Sequence, residues 1–202
     1  MASLILAHGA GAGQHSAFMV AAARALAARG ILTATFDFPY MVNKRSVPDK
    51  GPVLEDAWLS AIDAAVRRPE FANLPLVIGG KSMGGRIASQ AAAAHDLRIA
   101  GLVYLGYPLH PPGKPGQRRD THLPSIGVPM LFVQGSRDAF GTSEEIRELL
   151  LRLNAKTVLH EIPGGDHSFK VPARGGQPPA AVMDGIYDTV AAFIRSIAPA
   201  RG

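Results

Sequence analysis

A serine between glycines is the first feature of this sequence that suggests chemistry. The segment Gly80-Lys81-Ser82-Met83-Gly84 has the pattern G-x-S-x-G, in which a sharp strand-to-helix turn lifts a serine hydroxyl above a sheet. Such a turn strains the serine backbone and crowds the flanking chain, so glycines are required beside it. An apolar run ends at Gly79, and an alanine-rich stretch follows the motif. The pattern therefore predicts Ser82 as the nucleophile of an acyl-transfer reaction.

A serine nucleophile needs a base, and His167 has the best position among the seven histidines. It follows the predicted strand Thr157–Ile162 and a glycine-containing turn, so we expect it at the carboxyl edge of the sheet, as we do Ser82. The acid that orients the base is expected after the preceding strand, where Asp138 lies. Asp166 is adjacent to His167, and adjacent side chains seldom face each other. We therefore predict a triad of Ser82, Asp138 and His167.

Backbone N–H groups that would bind an oxyanion are predicted in two loops. One donor is the amide of Met83, the residue after the nucleophile, and the other lies in the loop after the first strand. In that loop Ala10 is the expected donor, and His8 is expected to hold the loop by hydrogen bonds. Glycines in both loops are expected to let the two loops approach each other closely. The residues predicted to support the two loops are His8, Gly9, Gly11, Gly80 and Gly84.

Short apolar runs alternate with alanine-rich helical patterns along the chain, which is typical of a parallel sheet covered by helices. Strands are predicted at Ser3–Ala7, Ile31–Phe38, Leu76–Gly79, Gly101–Leu105, Pro129–Gln134 and Thr157–Ile162. Helices are predicted at Ser16–Arg29, Val53–Arg68, Met83–His95, Thr142–Asn154 and Ala180–Ile197. The pattern predicts a doubly wound, three-layer α/β/α fold with about six mainly parallel strands, and residues 1–202 as a single domain.

The expected strand order 2-1-3-4-5-6 brings the predicted site together. The first and third strands are neighbours at the switch point, where ligands bind in such sheets, and they lead into Ala10 and Ser82. Five prolines between Leu105 and Pro129 leave no room for a helical lid, so we expect an open site for small acyl groups. Side chains near the carboxyl edge are candidates for the pocket: Tyr40, Met41, Tyr107, His122, Phe140 and Phe169.

The composition excludes several other classes. The chain has 202 residues, of which 47% are hydrophobic and 18% charged, and this is a globular composition. No cysteine is present, which excludes disulfides, thiolate metal sites and a cysteine nucleophile. The net charge of +5 is scattered and few aromatic residues accompany it, so nucleic-acid binding is disfavoured. No apolar run is long enough for a membrane span and no signal peptide is evident, so we expect a cytoplasmic protein without membrane association.

Two glycine motifs match nucleotide-binding patterns only in part. The segment from Gly9 to Gly13, with Asp37 near the end of the second predicted strand, is close to a dinucleotide fingerprint. Its third small residue is missing, because Gln14 or Ser16 stands there in the two frames. A nucleotide-binding oxidoreductase is kept as an alternative on this ground. The Gly-Lys-Ser of the serine motif is not a phosphate loop, because Pro75 replaces the required glycine.

The serine motif, the loop after the first strand, and the segments that carry Asp138 and His167 together resemble the α/β-hydrolase superfamily. They are most similar to its small dienelactone-hydrolase-like members and to the testis-expressed-protein-30-like branch. The segments that carry the resemblance are Leu6–Gly11, Gly79–Arg86, Phe132–Asp138 and Gly165–His167. The resemblance implies a minimal, lidless hydrolase of carboxylic esters or lactones with Ser82, Asp138 and His167 as its triad. It also implies a small-molecule acyl substrate and no cofactor or metal.

This sequence departs from the family pattern in two ways. Dienelactone hydrolases use a cysteine nucleophile and this chain has none, so their substrate is not the expected one. The first two strands of the full superfamily sheet are also missing. A binding or scaffold protein that carries an idle triad is a further alternative, because a fold does not determine a function.

Overall fold

The computed structural model describes residues 2–172 and 179–198. Within these residues six strands form one sheet: β1 (Ala2–Ala7), β2 (Ile31–Phe36), β3 (Leu76–Lys81), β4 (Gly101–Leu105), β5 (Met130–Gly135) and β6 (Thr157–Ile162). Their spatial order is β2-β1-β3-β4-β5-β6, and every neighbouring pair is parallel. This confirms the predicted strand order and the parallel sheet.

Helices cover both faces of the sheet. They are α1 (Ala17–Ala28), α2 (Pro39–Val42), α3 (Gly51–Val66), α4 (Met83–Ala94), α5 (Ser143–Leu150) and α6 (Pro179–Ile197). Alternate residues of β1 face opposite layers, because Ile5 belongs to the core with α3, α4 and α5, whereas Leu4 belongs to the core with α1 and α6. Each residue of β1, β4 and β5 is buried, which explains why these strands are apolar without polar alternation. The three-layer α/β/α prediction is confirmed.

Several element ends differ from the prediction, and backbone hydrogen bonding gives the reason in one case. We expected the second strand to reach Phe38, but β2 ends at Phe36 and the unpredicted helix α2 follows. The N–H of Phe38 donates to the His8 ring at 3.1 Å instead of joining the strand ladder. Other ends are set by local signals. Gly30, at φ +79°, follows the end of α1, and Thr142 forms a capping box that begins α5.

The proline-rich segment between β4 and β5 is an ordered loop without a helical lid. Its only helical element in the structure is a single 3-10 turn at Leu123–Ser125. Leu109 and Ile126 are buried in the core, and the Tyr107 hydroxyl donates to the Arg119 carbonyl at 2.7 Å. The loop therefore packs onto the body of the protein and leaves the carboxyl edge of the sheet uncovered by a helix.

The longest helix in the described part of the chain, α6, is amphipathic. Val182, Ile186 and Val190 are buried against the sheet. On its other side, Asp184 and Asp188 accept hydrogen bonds from Arg29 at the end of α1. No helix in residues 2–172 or 179–198 has both the length and the apolarity needed to cross a bilayer.

Gly79 provides a test of how tightly β3 packs against β4. A Cβ at this position would overlap the carbonyl of Val103, so a Gly79→Ala variant should lose about 1–3 kcal/mol of unfolding free energy. Gly185 in α6 is the matched control, since a Cβ there meets nothing within 4 Å. A Gly185→Ala variant should gain about 0.5–1 kcal/mol, because alanine favours the helix. Urea titration followed by circular dichroism measures both values, and equal stability of the two variants would contradict the packing.

Candidate active site

Ser82 occupies a strained turn between β3 and α4. Its backbone has φ 51° and ψ −118°, a region that residues other than glycine rarely adopt. The surrounding structure holds it there: the Ser82 N–H donates to the Leu105 carbonyl, and the Ser82 carbonyl accepts from the Arg86 N–H, each at 3.1 Å. The turn places the serine side chain at the wall of an open cavity.

Glycines allow α4 to begin directly against the end of β1. A Cβ at Gly80 would lie 2.5 Å from the Ala7 carbonyl oxygen. A Cβ at Gly84 would lie 2.6 Å from the carbonyl oxygens of both Ala7 and His8. A backbone oxygen cannot move away without breaking the sheet, so these two positions require glycine.

The structure brings Ser82, His167 and Asp138 into one hydrogen-bonded chain. His167 Nε2 lies 2.8 Å from Ser82 Oγ, and His167 Nδ1 lies 2.7 Å from Asp138 Oδ2. Asp138 is 1% exposed, and its other oxygen accepts the Phe140 N–H at 2.8 Å. A buried carboxylate at Nδ1 places the imidazole proton there and leaves Nε2 free to accept the serine proton.

Gln134 fixes the carboxylate of Asp138, and sequence reasoning missed it. Its side-chain amide donates to Asp138 Oδ2 at 2.9 Å and to the Gly141 carbonyl at 2.6 Å, while its oxygen accepts the Tyr107 N–H at 2.8 Å. Gln134 is completely buried in β5. A polar residue at the end of an otherwise apolar strand was the signal in the sequence, because a buried amide must find partners.

The loops that carry Asp138 and His167 are joined to each other. The Arg137 N–H donates to the Gly165 carbonyl at 2.9 Å, and a Cβ at Gly135 would overlap that same carbonyl. Asp166 turns away from the imidazole, because its Oδ1 accepts the Ser168 N–H at 2.8 Å. The preference for Asp138 over Asp166 thus agrees with the geometry.

His8 and Tyr40 orient the two peptides that flank Ala10. His8 Nδ1 donates to the Gly9 carbonyl at 2.8 Å, and the Tyr40 hydroxyl donates to the Ala10 carbonyl at 2.9 Å. The C=O and N–H of a trans peptide point in opposite directions, so the Ala10 N–H faces away from His8. Burial lowers the pKa of His8, which keeps the ring neutral and able to accept the Phe38 N–H. Burial raises the pKa of Tyr40 to about 12, so its hydroxyl stays a donor.

Asp37 is used by the loop itself. Its Oδ1 accepts the Gln14 N–H at 2.7 Å and its Oδ2 accepts the Gln14 side-chain amide at 3.2 Å. Thr35 donates to the Gln14 side-chain oxygen at 3.0 Å. An acid engaged in this way is not available to bind the ribose of a dinucleotide, which argues against the oxidoreductase alternative.

The cavity at Ser82 has a volume of about 440 Å³ and mostly apolar walls. Phe18 and Met19, from the first turn of α1, form part of the wall, and they were not predicted. Because the N-terminus of α1 lies at the carboxyl edge of the sheet, the parallel topology was the signal for them. The lining residues are Gly9, Ala10, Gly11, Ala12, Ser16, Phe18, Met19, Lys81, Ser82, Phe140, His167 and Ser168.

Phe140 is the one predicted pocket residue that lines this cavity in the described part of the chain. Its ring centroid lies 4.3 Å from that of His167. Tyr40, Tyr107 and Phe169 were expected in the pocket, but all three are buried in the protein interior. Aromatic rings are stabilised by burial, so a position near the carboxyl edge does not determine where such a side chain points.

Met41 and His122 also lie away from the cavity. Met41 packs beside Gly13, where a Cβ would lie 3.1 Å from its terminal methyl group. His122 forms a hydrogen bond of 2.7 Å with Ser89 on α4. Burial, together with the charge of Arg86, lowers the pKa of His122 to about 4. Both side chains therefore stabilise loops and do not line the pocket.

The glycines of the first loop are not required by crowding, contrary to our expectation. A Cβ at Gly9 would lie at ordinary contact distances, 3.5 Å from the Lys81 oxygen and 3.6 Å from Ser82 Cβ. A Cβ at Gly11 would meet nothing within 4 Å. At Gly9 a methyl group would instead fill space beside the serine, so a small residue there keeps the cavity open.

Comparison with known proteins identifies related sequences and folds. Residues 1–195 match a family model described as an alpha/beta hydrolase domain. The fold is similar to a dienelactone hydrolase from Anabaena variabilis, with a TM-score of 0.77 and 20% identity over 98% of this chain and 87% of that chain. XC6422 from Xanthomonas campestris, a serine hydrolase without a lid, gives a TM-score of 0.74 and 21% identity over 100% of this chain and 84% of that chain. Est1E from Butyrivibrio proteoclasticus, solved with ferulic acid, gives a TM-score of 0.75 and 15% identity over 98% of this chain and 89% of that chain.

The backbone strain at Ser82 can be measured as a difference in unfolding free energy between two variants. Ser82→Gly and Ser82→Ala both remove the hydroxyl, but only glycine adopts a positive φ without a steric cost. We expect the Ser82→Gly variant to have an unfolding free energy about 1 kcal/mol higher than that of the Ser82→Ala variant. Urea titrations of the two variants give this difference. An alanine variant that is the more stable of the two would show that the turn is unstrained.

Proposed function

The chain belongs to the α/β-hydrolase family, and on this premise we propose that it hydrolyses small carboxylic esters, lactones or thioesters through an acyl-enzyme on Ser82. The observation that carries the proposal is the hydrogen-bonded chain from Ser82 Oγ through His167 to the buried Asp138, beside a mostly apolar cavity. A strained serine, a base and an orienting carboxylate in this arrangement are the elements of nucleophilic acyl transfer.

In the proposed reaction, His167 Nε2 takes the hydroxyl proton as Ser82 Oγ attacks the acyl carbon. The carbonyl oxygen becomes an oxyanion, which the N–H groups of Met83 and Ala10 bind. His167 then protonates the leaving alcohol, and the acyl group stays on Ser82. Water loses a proton to His167 and attacks the acyl-enzyme, which releases the acid and restores the serine. Asp138 holds Nδ1–H and stabilises the imidazolium throughout.

The cavity supports small, apolar acyl groups as substrates. Phe18, Met19 and Phe140 supply much of its wall, and the loop between β4 and β5 places no helix over it in the described residues. In an open cavity of about 440 Å³, part of a long alkyl chain stays in water, so lipase action on long acyl groups is disfavoured. The similar structures include a dienelactone hydrolase and a protein solved with ferulic acid, and small acyl compounds of this kind are the class to test.

A fluorophosphonate probe tests the nucleophile without knowledge of the substrate. We expect the probe to form a covalent adduct on Ser82, because His167 activates that hydroxyl. The Ser82→Ala variant should not react, and Asp138→Asn should react about 10³–10⁴-fold more slowly because the imidazole loses its orientation. Mass spectrometry of peptides locates the adduct and gives the rates.

Ser60→Ala provides a matched control, since Ser60 is exposed on α3 and does not line the cavity. This variant should react at the wild-type rate. An adduct on another serine, or none on folded wild-type protein, would refute the proposed chemistry and favour the idle scaffold.

The acyl preference should follow the size of the cavity. For p-nitrophenyl esters we expect kcat/KM to be about 10-fold higher for acetate or butyrate than for decanoate. The methylenes that extend beyond the open cavity stay in water and gain no contact with its walls. Phe18→Ala enlarges the cavity and should shift this preference toward longer chains. Val66→Ala, at an exposed position on α3, should leave it unchanged. A wild-type preference for decanoate would contradict the small-substrate proposal.

A further inference from the structure

The residue before the nucleophile, Lys81, places a largely buried ammonium group under the site. Its Nζ donates to the backbone carbonyl of His167 at 2.6 Å. No step of the proposed reaction uses this group. A buried cation is costly unless it has partners, so its placement beside the base calls for a physical explanation.

The space around the ammonium is built by two further residues. Gly106 has φ +73°, and a Cβ there would lie 2.9 Å from Lys81 Nζ and 3.4 Å from His167 Cε1. The ring centroid of Phe169 lies 5.1 Å from Nζ, close enough for a cation–π contact. The glycine leaves room for the ammonium, and the ring stabilises it.

Within the described residues, Lys81 forms no ion pair. No carboxylate oxygen of this part of the chain lies within 4.0 Å of its nitrogen. Burial lowers the pKa of Lys81 to about 8, and the charges of Asp138 and Asp166 act in the opposite direction. Lys81 is thus largely charged at neutral pH. The one hydrogen-bond partner of its ammonium group among these residues is the His167 carbonyl.

The hydrogen bond from Lys81 to the His167 carbonyl joins the His167 loop to the end of β3. Other groups of the loop have other partners: the Gly165 carbonyl accepts the Arg137 N–H, and within the loop Asp166 Oδ1 accepts the Ser168 and Lys170 N–H groups. Without Lys81, the His167 carbonyl would have to rotate toward water to be satisfied. Rotation of that peptide would carry the imidazole away from Ser82 and Asp138.

We propose that Lys81 is a positioning residue of this site, whose ammonium holds the His167 carbonyl and thereby keeps the imidazole between Ser82 and Asp138. The catalytic consequence of this role rests on the proposed serine chemistry. The position of the imidazole does not depend on that chemistry, so position and reactivity are measured separately.

The test compares Lys81→Met with Lys170→Met, which removes the same charge from an exposed position on the His167 loop. Proton NMR follows the far-downfield signal of the His167 Nδ1–H that is bonded to Asp138, and the fluorophosphonate rate at Ser82 reports activation. In Lys81→Met we expect the signal to broaden by exchange with water and the labelling rate to fall at least about 10-fold. Lys170→Met should match the wild type in both measurements.

Chemical rescue covers the case in which Lys81→Met fails to fold. The chain has no cysteine, so the thiol of a Lys81→Cys variant is unique. It is alkylated in denaturant with 2-bromoethylamine, which restores an ammonium of nearly lysine length, and the protein is refolded. Iodoacetamide gives the neutral control. The aminoethylated protein should regain the downfield signal and the labelling rate, whereas the neutral adduct should regain neither.

The outcomes separate the two proposals. If wild-type Ser82 does not react but Lys81→Met still loses the downfield signal, the serine chemistry is refuted and the positioning role stands. If Lys81→Met keeps both the signal and the wild-type rate, the positioning role is overturned. Equal recovery in the charged and neutral alkylated proteins would likewise overturn it.

Discussion

The contact between the start of α4 and the end of β1 is the constraint on which the site depends. Gly80 and Gly84 lie so close to the backbone of β1 and its following loop that a Cβ at either position would overlap a carbonyl oxygen. Between them, Ser82 adopts a positive φ in the turn from β3 to α4. The same contact places the loop after β1 beside the serine. One steric requirement therefore sets the positions of both the serine turn and the loop after β1.

A second group of contacts holds the base and the acid. Asp138 is a buried carboxylate, and burial of such a group is tolerated only when its oxygens are bonded. Gln134, the Phe140 N–H and the His167 ring supply those bonds. Their loops are joined through Gly135 and Gly165, so displacement of one side chain would leave polar atoms buried without partners. A buried network whose polar groups are bonded in this way makes its surroundings rigid, which is the property that a preorganised site requires.

The sequence was sufficient for the sheet and for the three residues that the structure brings together. Apolar runs, turn residues and the order of motifs depend on local chemistry, and in a parallel sheet they place strand ends at one edge. Side-chain direction was not predictable in the same way. Tyr107 and Phe169 follow strands as expected, but they turn into the core, whereas Phe18 reaches the cavity from a helix. Such choices depend on tertiary packing, and a one-dimensional pattern does not contain it.

The strand order has a consequence for a chain that is still being synthesised. From β3 onward, each new strand adds to the edge left by the previous one, so the sheet grows in the order in which residues leave the ribosome. Ser82 arrives early, Asp138 follows β5, and His167 follows β6 at the far edge. A partly made chain thus carries a serine with no base to activate it. On the proposed chemistry, this serine becomes reactive only when the final strand has docked, and by then the rest of the sheet is in place.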